Sequence, residues 1–111
     1  MNDVKKSYWL NEIIKTEIPY LNGKKQGILK QYNKKGIMVQ SVDYCDDKIN
    51  GYVKSYYDDG SLESSETYIN GERQNDLVVY NKDGFVVYSK NCESLNDDYI
   101  CLFEKSLYRH L

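Results

Sequence analysis

Histidine is almost missing from this chain: the only one, His110, is the penultimate of 111 residues. One histidine at that place leaves a histidine-dependent triad or zinc site without its parts. Proline occurs once, at Pro19, tryptophan once and phenylalanine twice. There is no tract rich in proline, serine or glycine and no long block of like charge, so nothing reads as an interdomain linker or a disordered tail. Long apolar runs are also lacking. The opening MNDVKKSYWLNEIIKTE has lysines, but Asn11, Glu12, Lys15 and Glu17 break up its apolar residues, so neither a signal peptide nor a membrane-spanning helix is expected. The cysteines, Cys45, Cys92 and Cys101, are odd in number and have no CxxC spacing. That pattern argues against a metal site and a disulfide framework and predicts free thiols in a reducing cytoplasm.

What is abundant is tyrosine, with twelve, and it is placed with a period. A shift of 24 residues puts Tyr8, Tyr32, Tyr56 and Tyr80 in one column and Tyr20, Tyr44 and Tyr68 in another. Gly36, Gly60 and Gly84 make a third column, Gly27 and Gly51 (then Asn75) a fourth, and Gly23 and Gly71 (with Asp47 between) a fifth. All seven glycines fall in these columns. A fixed period of this length implies a supersecondary unit that cannot bury its own apolar face and must stack on its neighbours.

Each unit reads as two short strands and two turns. Gly51-Tyr-Val-Lys-Ser-Tyr-Tyr57 is rich in aromatic and β-branched residues, Asp58-Asp59-Gly60 is a hairpin turn, and Ser61 to Tyr68 is the return strand. Asn70-Gly71 then leads into the next unit, with glycine where positive φ is required. Residues 4–20 are a degenerate first repeat, with Glu12 in the turn-glycine slot and Pro19 on a strand. Three repeats of 24 residues fill 20–91, so a single domain over 1–111 is expected. The fold class is mainly β: a single-layer antiparallel sheet of consecutive hairpins, closed by a C-terminal α-helix over 95–111. That helix is read from the N-cap cluster Asn96-Asp97-Asp98 and from Ile100, Phe103, Leu107 and Leu111 at helical spacing.

Net charge is −2, but residues 1–36 carry +5 and residues 37–111 carry −7. Because a stacked repeat turns sequence order into position, the particle should be an electric dipole. No serine sits in a GxSxG elbow, no glycine-rich phosphate loop remains once the hairpins are assigned, and no cysteine has a base partner nearer than His110. Asp46 to Gly51 has the look of a calcium loop, yet Lys48 stands at the third ligand position and Tyr57 where a bidentate glutamate belongs. The carboxylate pairs Glu63/Glu66 and Asp58/Asp59 admit acid–base work, but aspartates in hairpin turns ordinarily stabilise turn backbone. No enzymatic activity, cofactor or metal is expected.

The recurring phrase of turn glycine, strand ending in tyrosine, Asn/Asp-rich turn with glycine, return strand ending in tyrosine and Asn-Gly resembles the MORN repeat over residues 20–90. It is most similar to the bacterial variant in small proteins classed as antitoxins or immunity proteins, although Ile28, Tyr52 and Asp76 stand where that family typically has tryptophan. The resemblance implies a protein that binds and neutralises a cognate toxin. A nuclease toxin presents a basic cleft, which an acidic surface would answer. The candidate contacts are Asp46, Asp47, Asp58, Asp59, Glu63, Glu66, Asp97 and Asp98, with Tyr52, Tyr57 and Tyr88 as aromatic anchors. The alternative implied by the same resemblance is a scaffold for lipid headgroups or proteins, favoured by the cluster Lys24, Lys25, Lys30, Lys34 and Lys35 but lacking an apolar anchor. Nucleic acid and a stable membrane association are not expected partners, since the broad face is not basic. The edge hairpin of residues 4–20 offers a strand to a second copy.

Overall fold

The computed structural model describes residues 2–90. The expected helix over 95–111, Asp97 and Asp98 lie outside the described residues. Among the described residues, nine strands form one antiparallel sheet. They are β1 (Asn2–Tyr8), β2 (Ile14–Leu21), the two-residue β3 (Lys24–Lys25), β4 (Gly27–Tyr32), β5 (Met38–Cys45), β6 (Lys48–Tyr56), β7 (Leu62–Ile69), β8 (Glu72–Tyr80) and β9 (Val86–Lys90). Their spatial order is β1-β2-β4-β5-β6-β7-β8-β9, with β3 paired to β2. Neighbours in sequence are therefore neighbours in space, the topology of a hairpin ladder.

The 24-residue period governs backbone geometry as well as residue type. Four hairpin turns repeat one hydrogen-bond pair: Trp9 N–H to Ile13, Asn33 to Ile37, Tyr57 to Ser61 and Asn81 to Phe85, each between 2.8 and 2.9 Å. Each turn is flanked by a register slip, at Ser7/Tyr8, Gln31/Tyr32, Ser55/Tyr56 and Val79/Tyr80. The turn position that is Gly36, Gly60 and Gly84 in three units has φ near +90°, and Glu12 holds the same slot at φ 71°. The degenerate first repeat thus folds like the others and carries a side chain where the backbone favours glycine. At the opposite edge the units are joined by two-residue turns with both φ positive: Asn22-Gly23, Asp46-Asp47 and Asn70-Gly71.

A second bulge recurs where β5 meets β6, between Val42 and Tyr44, and where β7 meets β8, between Glu66 and Tyr68. Pro19 occupies the equivalent slot on β2. Its carbonyl accepts a bond from Gln26 N–H, and its nitrogen points to the same side, so the missing donor falls at an irregular place in the ladder. Pro19 is tolerated for that reason, although β2 is the inner strand of the edge hairpin and β1 lies outside it.

Directly paired residues share a face. Leu29, Val42, Val53, Glu66 and Leu77 form one row across the sheet, with Tyr20, Tyr44 and Tyr68 on the same side. The opposite face carries the row Glu17, Lys30, Ser41, Lys54 and Ser65. Over it lie Tyr32, bonded to Glu17 Oε1 at 2.5 Å, and Tyr56, 3.4 Å from Ser41 Oγ. A single layer leaves little interior: among the described residues the buried apolar side chains are Leu29 and Val42, and Ser41, Asn50, Thr67 and Asp76 are buried with them. Tyrosine suits such a sheet because its ring covers area while its hydroxyl stays wet or bonded.

Candidate functional site

The sequence-predicted contact residues do not form one patch. Asp46 and Asp47 make an inter-unit turn, where Asp46 pairs with Lys24 Nζ at 3.2 Å and Asp47 Oδ1 accepts Lys25 N–H at 2.7 Å. Asp58 and Asp59 lie at the other end of β6, a strand's length away, roughly 25–30 Å. Asp59 Oδ1 accepts the Ser61 hydroxyl at 2.6 Å and its N–H at 2.9 Å, and these bonds, the hydroxyl's first, hold its carboxyl below the usual value. Glu66 lies on the apolar-row face with Arg73 Nε 2.6 Å from its Oε2, an ion pair without an aligned hydrogen bond. Glu63 is half-buried on β7, and Tyr88 is exposed on β9 beside Val79.

Tyr52 has neighbours that sequence reasoning missed. The bulge on β5 leaves Asp43, paired with Ile28 on β4, without a partner in the β5–β6 ladder, and its Oδ2 accepts Tyr52 N–H at 2.9 Å. One unit on, Asp76 plays the mirrored part: Oδ1 accepts Thr67 N–H at 2.9 Å and Oδ2 accepts the Thr67 hydroxyl. Lys54 Nζ sits 4.8 Å from the Tyr52 ring centre. Burial raises the Asp43 carboxyl above its usual value, opposed by the Tyr52 N–H and Lys54. Burial first, then the Asp43 and Asp76 charges, raises the Tyr52 hydroxyl. Both aspartates satisfy backbone donors exposed by the bulges, so the pair is built into the sheet.

A concave site lies instead along the edge formed by the four hairpin turns. Trp9 starts the first turn, and its Nε1–H donates to the Tyr32 carbonyl at 3.1 Å, tying turn one to turn two. Tyr57, starting the third turn, donates its hydroxyl to the Tyr80 carbonyl at 2.6 Å, tying turn three to turn four. The same slot in turns two and four is asparagine. Asn33 Oδ1 accepts from Lys35 and Ile37 N–H, and Asn81 Oδ1 from Asp83 and Phe85 N–H. Asn33 therefore closes its own turn and reaches no farther.

The gap between turns two and three is the result. A cleft of about 340 Å³ is lined by Trp9, Asn33, Lys34, Lys35 and Asp58, and an adjoining one of about 390 Å³ by Trp9, Leu10, Asn11 and Lys34. Lys15 Nζ and Lys34 Nζ lie 4.7 and 5.4 Å from the Trp9 ring. Leu10 is fully exposed at the tip of turn one, 107% of its reference area. It is the apolar residue beside lysines that the sequence analysis did not find; a lone leucine between Trp9 and Asn11 gave no periodic signal.

Cys45 is disulfide-bonded, which corrects the expectation of a free thiol. Pairing depends on Cα separation in space and Cβ direction, neither of which CxxC spacing reports. The thiol-based argument for a reducing compartment loses its basis with it. Among the described residues, no three of His, Cys, Asp and Glu gather as metal ligands, and no helix is long and apolar enough to cross a membrane. No protein-family model matches the chain, and neither does any curated protein or solved structure.

Proposed function

We propose that this chain is a non-enzymatic immunity or antitoxin protein that binds a cognate toxin and neutralises it by direct contact. The carrying observation is the tip of the third turn. Asp58 and Asp59 are exposed there on a rigid hairpin, Asp59 is held ionised by Ser61, and Tyr57 is anchored behind them by its bond to Tyr80. A pre-ordered acidic tip costs little entropy on binding a basic partner, and its charge speeds encounter. Asp46 and Asp47 form a second acidic turn at the far edge, so a partner that covers both must lie across the sheet. A standard interface of about 800 Å² per partner suffices for either mode.

In this reading the repeats are MORN-like, and the segment over 95–111 is a helix that covers the open end of the sheet at β9. Phe85, Val86, Val87 and Tyr88 are all more than half exposed there, an apolar edge of the kind that proteins cover. The test is co-expression with the product of the adjacent gene, scoring growth and copurification. A neighbour that kills alone, and is tolerated and bound in the pair, supports neutralisation; Asp58→Asn with Asp59→Asn should then slow association. A harmless, unbound neighbour removes the reading for that gene.

A further inference from the structure

The basic end of the sheet has a built surface that toxin neutralisation by the acidic tips does not use. Lys15 and Lys34 stand against the one tryptophan of the chain, and Lys35 lies beside Lys34 along the same cleft. Among the described residues, none of these three lysines is ion-paired. Leu10 projects from the adjoining cleft, fully exposed. A fixed indole and a bare leucine with three lysines free of ion pairs around them make an apolar anchor with a cationic rim, and tryptophan is among the residues enriched at interaction hot spots.

We propose that this turn edge is a docking surface for an acidic polypeptide segment that carries an apolar side chain. The apolar side chain would pack between Trp9 and Leu10, and carboxylates would lie over Lys34 and Lys35. Charge complementarity selects the occupant: residues 1–36 are +5 overall, and the cleft wall is interrupted by a single acid, Asp58, which disfavours a densely charged polyanion across its whole length. The clefts suit a few side chains, since about 340 and 390 Å³ lie at the lower end of ligand-pocket size. The surface meets the acidic tip only at Asp58; its anchor, Trp9, Leu10, Lys15, Lys34 and Lys35, is not used by the acidic tips, so the inference stands whether or not a toxin is neutralised.

The single tryptophan makes the test direct, because indole emission reports this site alone. The intact protein is titrated with a synthetic peptide of glutamate pairs alternating with leucines, followed by Trp9 fluorescence. A saturable shift is expected. It should weaken on raising salt from about 50 to about 500 mM, as screened charges require, and weaken at least about tenfold in Lys34→Glu. Leu10→Ser should weaken it too, and Lys48→Glu, at the opposite edge, should not. Circular dichroism checks that each variant is folded. No shift at millimolar peptide, or equal shifts in the parent and in both folded site variants, overturns the proposal. A shift produced by anionic vesicles or a single-stranded oligonucleotide but not by the peptide also overturns it, in favour of a lipid or nucleic-acid surface.

Discussion

Gly51→Ala is the sharpest test of how this sheet is built. Gly51 has φ +127°, where a side chain costs about 1–3 kcal/mol. An added Cβ would lie 2.6 Å from Asp43 Oδ2 and 3.0 Å from Asp43 Cβ. The carboxylate would have to move, giving up its bond to Tyr52 N–H and leaving both groups half-buried, which costs about another 1–3 kcal/mol. The expected loss is about 2–6 kcal/mol, measured as the shift in urea midpoint at constant slope. Gly71→Ala is the control, because φ is +87° and its Cβ would meet nothing within 4 Å; it should show only the backbone cost. In an Asp43→Ala background the part of the excess due to the carboxylate should vanish, leaving only the tight 3.0 Å approach to the Cβ of residue 43, a coupling that a double-mutant cycle reads directly. If Gly51→Ala costs no more than Gly71→Ala, or the excess is undiminished without the Asp43 carboxylate, the bulge is not held as described.

Two pH effects follow from the same geometry. Burial raises Asp43 in the folded state, so the folded protein holds that proton more tightly than the unfolded chain, and stability falls as pH rises through the window above the usual carboxylate value. Asp43→Asn keeps an acceptor for Tyr52 N–H and should gain on the parent above that window while losing the gain in acid; a stability difference independent of pH would refute this. Tyr32 is pushed up to about 12, first by its hydrogen bond to Glu17, then by burial and the Glu17 charge. Its contribution is complete below the ordinary tyrosine value of 10.0 and is lost as pH rises towards 12. Tyrosinate absorbance should show a group titrating near 12 that Tyr32→Phe removes, and an unchanged titration would contradict the Tyr32–Glu17 bond.

The columns of tyrosine and glycine disclosed the hairpin ladder because the backbone demands them: a turn with positive φ and a strand with one half-wet face recur wherever the unit recurs. Even Glu12 was legible, since its slot was defined by Gly36, Gly60 and Gly84. Asp43 and Asp76 were not legible. They sit in different columns, one bonded to Tyr52 N–H and the other to Thr67, and only the bulge makes them equivalent. The acidic residues read as one surface were separated by the same periodicity that identified the fold, because Asp46 and Asp58 are half a unit apart and half a unit is one strand.

The turn edge has a period that the columns conceal. Tryptophan, asparagine, tyrosine and asparagine alternate at positions 9, 33, 57 and 81, so the bonds between turns recur every 48 residues and the cleft falls where one is skipped. Asn33→Tyr should supply the missing bond. By the repeat, a tyrosine there faces the Tyr56 carbonyl as Tyr57 faces Tyr80, gaining one hydrogen bond and ring burial in the cleft. It gives up the two bonds that Asn33 Oδ1 accepts from Lys35 and Ile37 N–H, worth about 1 kcal/mol each. The net cost should stay within about 1 kcal/mol, small enough to keep the fold. Peptide binding at Trp9 should be lost, because the ring fills the space beside Lys34 and Lys35. If a folded Asn33→Tyr protein still binds the acidic peptide with parental affinity, the skipped bond is not what makes the site.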